Sequence, residues 1–234
     1  MKVLISFANP KMGAKLFGLT RALYSKSVQN LSIVALHIVS VESQSEGFPI
    51  LEEDEIFKAV REEASGSEFS FETVGFPSDW IVPGIVEIAK SKEVDLLLLG
   101  AARSLFSEDL LGGKVGEVLR QLSDLDIAVL ADNGLNSPIE PVIYSPSLES
   151  APLFPFSVGL SSYIEKPIPV LSGVNQTELG IKQAGQFKPW LPFSLAASDQ
   201  SKNLAILDYG TYKSFHSVLL DRKGLSFLIL RKGT

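Results

Sequence analysis

A parallel α/β sandwich, present twice in one chain, is the fold this sequence predicts. Three observations carry the expectation. Short apolar runs of strand length alternate with stretches whose apolar residues recur at helical spacing. One run, Val94 to Leu99 (VDLLLL), is apolar at nearly every position, as a central parallel strand covered on both faces must be. The second half then repeats the order of the first in worn form, and right-handed crossovers would give each copy a doubly wound topology.

The first copy reads in order as follows. Val3 to Ala8 (VLISFA) is a strand, Asn9-Pro10 a turn, and Leu16, Phe17, Thr20, Leu23 and Tyr24 follow at helical spacing. Leu31 to Val39 is a buried strand, and Leu51 to Ala64 is a surface helix with Ile56, Phe57, Val60 and Ala64 on one face. Phe69 to Phe76 alternates like a strand. Pro83 suits the first turn of the next helix, whose apolar side is Ile85, Ile88 and Ala89. After Val94 to Leu99 comes a glycine-containing loop, then a helix stripe of Val115, Val118, Leu119 and Leu122, and Ile127 to Ala131 closes the unit.

In the second half, Val142 to Ser145 stands for the first strand, Phe154 to Tyr163 for the first helix and Ile168 to Ser172 for the second strand. Leu204 to Leu207 aligns with Leu96 to Leu99 at an offset of 108, whereas Val218-Leu219 and Phe227 to Leu230 align with Val118-Leu119 and Ile127 to Leu130 at an offset of 100. The second copy therefore lacks eight residues, all in the glycine loop. Thr177 to Ser201 reads as an irregular connection holding a short helix and a strand.

Composition narrows the function. The 234 residues suit one large or two small domains. Residues 1–136 carry 12 basic and 20 acidic side chains, net −8, while residues 137–234 carry 9 and 7, net +2, and nine of the 13 prolines fall in the second part. Both shifts place a boundary near Asn136, giving domains at 1–134 and 137–234. The overall charge of −6 argues against nucleic acid as a partner, because a binder needs a basic face to displace counterions. Cysteine is absent and there are two histidines, which excludes a thiolate zinc site and an imidazole cluster; no metal is expected. Apolar runs are far below the ~20 residues of a membrane span, and Pro10 breaks the opening stretch too early for a signal peptide, so a cytoplasmic chain without a transmembrane segment is expected.

One segment has chemical character. Gly100 to Lys114 (GAARSLFSEDLLGGK) links a central strand to a helix, the place where open α/β sheets form a ligand crevice and where unpaired helix N–H groups favour an anion. Gly112 and Gly113 permit close approach, and Arg103 and Lys114 supply positive charge, while Glu108 and Asp109 oppose it. The loop reads either as a ligand cradle or as a purely structural turn. A P-loop fails, with Glu108 and Val115 where glycine and a hydroxyl residue belong, and a Rossmann fingerprint fails after the first strand. His37, inside an apolar strand, reads as a packed, hydrogen-bonded core residue, and His216 as a helix-surface or packing residue. Glu52 to Glu55 reads as a solvated helix start. Trp80 and Trp190, near prolines, read as loop anchors.

The string DLLLLGAARSLFSEDLLGGKVGEVLRQLSDLDIAVLAD, Asp95 to Asp132, resembles the last third of a universal stress protein domain, whose ATP-binding members carry G-x2-G-x9-G-[ST] here. Gly100 and Gly113 match; Arg103 and Lys114 stand where a glycine and a hydroxyl residue belong. The family's aspartate after the first strand is here Ala8 or Asn9. The resemblance covers nearly all of residues 1–133 and continues weakly through 138–234. It implies two tandem, adenine nucleotide alpha hydrolase-like sandwiches with a degenerate second copy. The form of the loop, with R-S-L-F and L-L-G-G-K-V, is most similar to the cytoplasmic C-terminal regions of bacterial cation/proton (sodium/hydrogen) antiporters.

What the resemblance implies is a non-enzymatic regulatory or sensor module whose partner is an antiporter membrane domain. Self-association is also implied, as an internal pseudo-dimer through Ile127–Ala131 and Leu225–Leu230 or as a homodimer. The alternative is a stand-alone stress protein that binds ATP, AMP or another adenine nucleotide with little or no ATPase activity. The nucleotide-site residues carried over are Ala8, Asn9, Gly100, Arg103, Gly112, Gly113 and Lys114. Arg103 would either fill the phosphate space or pair with phosphate in place of the lost glycine contact. A flavin- or adenine-cofactor enzyme on a related fold is a third class, for which the sequence supplies no redox partner or base.

Overall fold

The computed structural model describes residues 1–39, 53–101, 113–145, 153–166, 168, 170–172, 203–213 and 224–234. It divides into two compact units, one of residues 1–21, 28–128 and 232–234, the other of residues 22–27 and 129–231. Its helices alternate with strands whose registers are parallel.

In the first unit, β1 (Lys2–Ser6), β2 (Ser32–Val39), β3 (Ser70–Pro77) and β4 (Leu96–Ala101) run in the order β3-β2-β1-β4, and β5 (Asp126–Ala131), of which residues 126–128 belong to this unit, is next. Ile5 faces Ala35 on one side and Leu98 on the other. The order reverses between β1 and β4: the chain moves outward from β1 to β2 and β3, then returns to add β4 on β1's other side. That reversal is the switch point at which a crevice opens outside the strand ends.

The helices are α1 (Pro10–Tyr24), α2 (Glu53–Ala64), α3 (Ile81–Ser91) and α4 (Gly113–Gln121). Their expected apolar faces are the buried ones. Leu16, Phe17 and Thr20 of α1, Phe57 and Val60 of α2, and Val118 and Leu119 of α4 are all buried, as is Leu122 just past α4. Leu4, Ile5, Leu97 and Leu98 have no exposed surface, as expected for strands covered on both faces. Edge-to-face aromatic pairs, Phe7 on Phe57 and Phe17 on Phe71, tie helices to the sheet.

Helix α3 ends in a Schellman motif. Val94 N–H donates to Ala89 O and Glu93 N–H to Lys90 O, with Glu93 in the left-handed region at φ 49°. Lys2 Nζ donates to Lys92 O at 2.7 Å, placing a cation on the negative end of the helix.

The second unit contains β6 (Pro141–Ser145), α5 (Leu153–Ile164), β7 (Val170–Ser172), β8 (Leu204–Asp208) and β9 (Ser226–Arg231), in the strand order β9-β8-β6-β7. β7 is shorter than the run Ile168 to Ser172 predicts. Asn203 holds the segment entering β6: its Nδ2 donates to Asn136 O and Pro138 O, and its Oδ1 accepts from Glu140 N–H. Val218-Leu219, His216, Trp190 and the connection Thr177 to Ser201 lie outside the described residues.

Two single-residue expectations have definite outcomes. His37 is hydrogen-bonded as expected but half-buried and not a core residue: it is tilted against Phe7, with Nδ1 3.1 Å from Phe7 O. A carbonyl oxygen only accepts, so this nitrogen carries the proton. Trp80 is 71% exposed, so its ring is not an anchor among the described residues. The loop is held instead by Ser78 Oγ, which accepts from Trp80 N–H at 3.2 Å and donates to Trp80 O at 2.8 Å.

Candidate functional site

The switch-point crevice of the first unit is bordered by the chain leaving β1 and by the last residues of β4. Beyond Ser6, the Phe7 N–H still bonds Leu36 O, and the backbone then bends at Ala8 and Asn9, both exposed. Asn9 is the N-cap of α1. Its Oδ1 accepts the Met12 N–H at 2.9 Å, its carbonyl accepts the Gly13 N–H at 3.1 Å, and Pro10, which has no N–H to leave unpaired, takes the first helical position. The sequence pair read as a turn is thus a helix start.

This start directs Met12, 7% exposed, toward β4. A Cβ built on Gly100 would lie 2.3 Å from Met12 Cγ and 2.7 Å from its Sδ, and the three nearest atoms all belong to Met12. The methionine therefore occupies the space a side chain on Gly100 would fill. Phe7, 4% exposed, packs against α1 in turn, since a Cβ on Gly13 would lie 2.7 Å from Val60 Cγ2 and 2.9 Å from the Phe7 ring.

Gly113 and Lys114 open α4, and both are exposed. Gly113 has φ 57°, the left-handed region, while a Cβ there would meet nothing within 4 Å. Backbone conformation, and not crowding, therefore favours glycine at this position. The first turn of α4 carries no acidic residue. Arg103 and Gly112 lie outside the described residues.

Of the sequence-derived site residues, the structure brings Asn9 and Gly100 together, through Met12. Sequence reasoning missed Met12. The only available signal was its position three residues after a capping residue, which marks an N–H needing a partner and says nothing of where the side chain goes.

In the second unit β8 leads directly into a helical segment, residues 209–213. Asp208 caps it: Oδ1 accepts from Thr211 N–H and Oδ2 from Thr211 Oγ, each at 2.8 Å. Lys213 Nζ lies 4.5 Å from the centre of the Tyr209 ring, a cation–π contact. Among the described residues no group of histidine, aspartate and glutamate side chains is arranged to hold a metal ion. No helix among them is long and apolar enough to cross a membrane.

No family model and no curated protein matches the chain. Solved structures do. The crystal structure of a universal stress protein from Archaeoglobus fulgidus DSM 4304 aligns over 99% of this chain and 96% of that one, at 13% identity and a TM-score of 0.59. The cytoplasmic domain of a prokaryotic cation chloride cotransporter aligns over 99% of this chain and 95% of that one, at 11% identity and the same TM-score of 0.59. A universal stress protein in complex with cAMP covers 55% of this chain at 19% identity, with a TM-score of 0.38, too low to carry an argument about geometry. The chain has the α/β fold of the universal stress proteins, which is also the fold of a transporter's cytoplasmic domain.

Proposed function

We propose that this chain is a non-catalytic regulatory module of universal stress protein type, acting at the cytoplasmic face on a cation/proton antiporter. The observation that carries the reading is the fate of Asn9. The resemblance places a nucleotide-side aspartate at Ala8 or Asn9; alanine carries no polar group, and the Asn9 oxygen is committed to capping α1. The fold likeness to a cation chloride cotransporter's cytoplasmic domain over nearly the full length of both chains supports the same reading.

The tandem organisation, 1–134 and 137–234 with a degenerate second copy, belongs to the proposal. It is supported by the strand orders: numbered within its own unit, β9-β8-β6-β7 repeats the order of β5-β4-β1-β2. Regulation would consist of a ligand or partner altering how the two copies pair through Ile127–Ala131 and Leu225–Leu230, in turn favouring one state of the transporter. Such coupling is typically ~1–3 kcal/mol, enough to tune flux and not to create it.

The second reading, an adenine-nucleotide-binding stress protein, is favoured by one observation. Gly113 and Lys114 are exposed at the start of α4 without an acidic neighbour in that turn. Cation flux into vesicles bearing the antiporter, with and without the whole chain, tests the first reading, alongside ATP turnover by the chain. A several-fold change in a flux that persists without the chain is expected. Unchanged flux, or ATP hydrolysis at about 1 turnover per second or faster, would overturn it.

A further inference from the structure

We propose that the outer edge of β3 is a docking site for a basic, extended segment on the cytoplasmic side of the antiporter, which adds as a further strand and packs against Trp80. This names the contact through which the regulatory reading above would work, and rests on that reading for the identity of the partner.

β3 is the end strand of the described sheet and is eight residues long. The Ser78 N–H bonds Val39 O, so it points to β2. Successive residues of a strand turn their backbone groups to opposite sides, which aims the N–H groups of Phe71, Thr73 and Gly75 away from β2. Among the described residues no strand or turn pairs with them there. Pro77 takes the next outward position, where its missing N–H interrupts no ladder bond to β2. Natural edges are commonly blunted by a lysine, a bulge or shortness. β3 has no lysine, its register with β2 is unbroken, and its one acidic residue, Glu72, is paired with Lys92. The faces of the strand are occupied: Phe71 packs on Phe17, and a Cβ on Gly84 would lie 3.3 Å from Phe76. What stands open is the backbone.

Charge and an aromatic ring select the partner. Between Arg61 and Lys90 the chain carries Glu62, Glu63, Glu68, Glu72, Asp79 and Glu87, and no lysine or arginine. Glu68, Asp79 and Glu87 are exposed, and among the described residues no ion pair neutralises them. Such a border repels an anionic lipid surface and a second copy bearing the same groups, and it attracts lysine and arginine. Segments flanking membrane helices on the cytoplasmic side are rich in those two residues. Trp80, 71% exposed just past the strand with Ile81 beside it, offers its ring to a guanidinium or ammonium group. Main-chain pairing supplies affinity, and side-chain contacts supply specificity.

The probe is a synthetic peptide of alternating lysine and valine, titrated to millimolar concentration into the whole chain. Its amide resonance shifts should centre on Phe71, Thr73 and Gly75 and on the Trp80 indole N–H, and a peptide with glutamate for lysine should not bind. Thr73→Pro, which removes an outward donor and no bond to β2, and Trp80→Ala should each weaken binding about tenfold. A lysine–valine peptide with alternate amides N-methylated should lose binding to the natural chain, and serves if the proline variant fails to fold. The edge site is refuted if the peptide does not bind, if the glutamate peptide binds equally well, if the shifts lie elsewhere, or if a folded Thr73→Pro binds as the natural chain does. Self-association through β3 that excludes the peptide, or binding of anionic vesicles at Trp80 in its place, would also overturn it. Failure here with flux regulation intact leaves the regulatory reading standing. Edge binding with no effect of the chain on flux upholds the docking of basic strands and removes the regulatory reading.

Discussion

β4 and β8 each pair with the leading strand of their unit, β1 and β6, yet they close on different residues. β4 ends in Gly100 and Ala101, and α4 begins at Gly113, with no acidic residue in its first turn and Lys114 exposed. β8 ends in Asp208, whose carboxylate accepts both the N–H and the hydroxyl of Thr211. The helix that follows β8 thus supplies its own anion, and a phosphate approaching there would meet a negative charge already in place. The lesson is that two similar strand ends can share a framework while the helix after one of them carries a carboxylate cap and the first turn of the helix after the other carries none of its own.

The sharpest break in the comparison comes from the glycines. A Cβ on Gly159 of α5 would lie 1.7 Å from the Leu23 carbonyl oxygen, a backbone atom that cannot step aside, whereas the Gly100 neighbour is a flexible methionine. Gly159→Ala is therefore expected to cost more than about 4 kcal/mol in chemical denaturation, and Gly100→Ala about 1–3 kcal/mol. Equal costs would mean that Met12 is held as rigidly as backbone. Next come the caps. Asp208→Ala and Asn9→Ala should each lose about 1 kcal/mol by the same measurement, and only Asp208→Ala should allow added phosphate to shift the amide resonances of residues 209–211.

A gain is expected at Glu93. It adopts φ 49° at the end of α3, where a residue without a Cβ is unstrained, so Glu93→Gly should stabilise the chain by up to about 1 kcal/mol. The smallest effect concerns Glu165, whose carboxylate accepts a hydrogen bond from Lys26 at 3.0 Å and is held below the usual carboxylate range, by that bond first and by the ammonium charge second. A lowered folded-state value means that its contribution is present above the unfolded value and is lost as pH falls through the folded one. Because the carboxylate is fully exposed, Glu165→Gln should leave the urea midpoint at neutral pH unchanged, with only a shallow difference on acidification.

Much of this framework was readable from residues because burial leaves periodic traces. VDLLLL becomes β4 with Leu97 and Leu98 fully buried, and Val118, Leu119 and Leu122 form the buried side around α4. The site was readable only in part. Asn9 and Gly100 could be named from motif position, but the contact joining them runs through Met12, and a side chain's direction across a crevice leaves no periodic mark. Asp208 was legible in principle, as an aspartate three residues before a threonine at the end of an apolar run. Trp80 went the other way: proximity to Pro83 suggests an anchored ring, and a serine two residues back does the anchoring through backbone groups.

The most direct test is an amide-resolved titration of the whole chain with AMP. Shifts confined to Ala8 to Met12, Gly100, Gly113 and Lys114 are the expected result. Shifts of equal or larger size at residues 208–213 would contradict the proposal that the anion-binding strand end lies in the first unit.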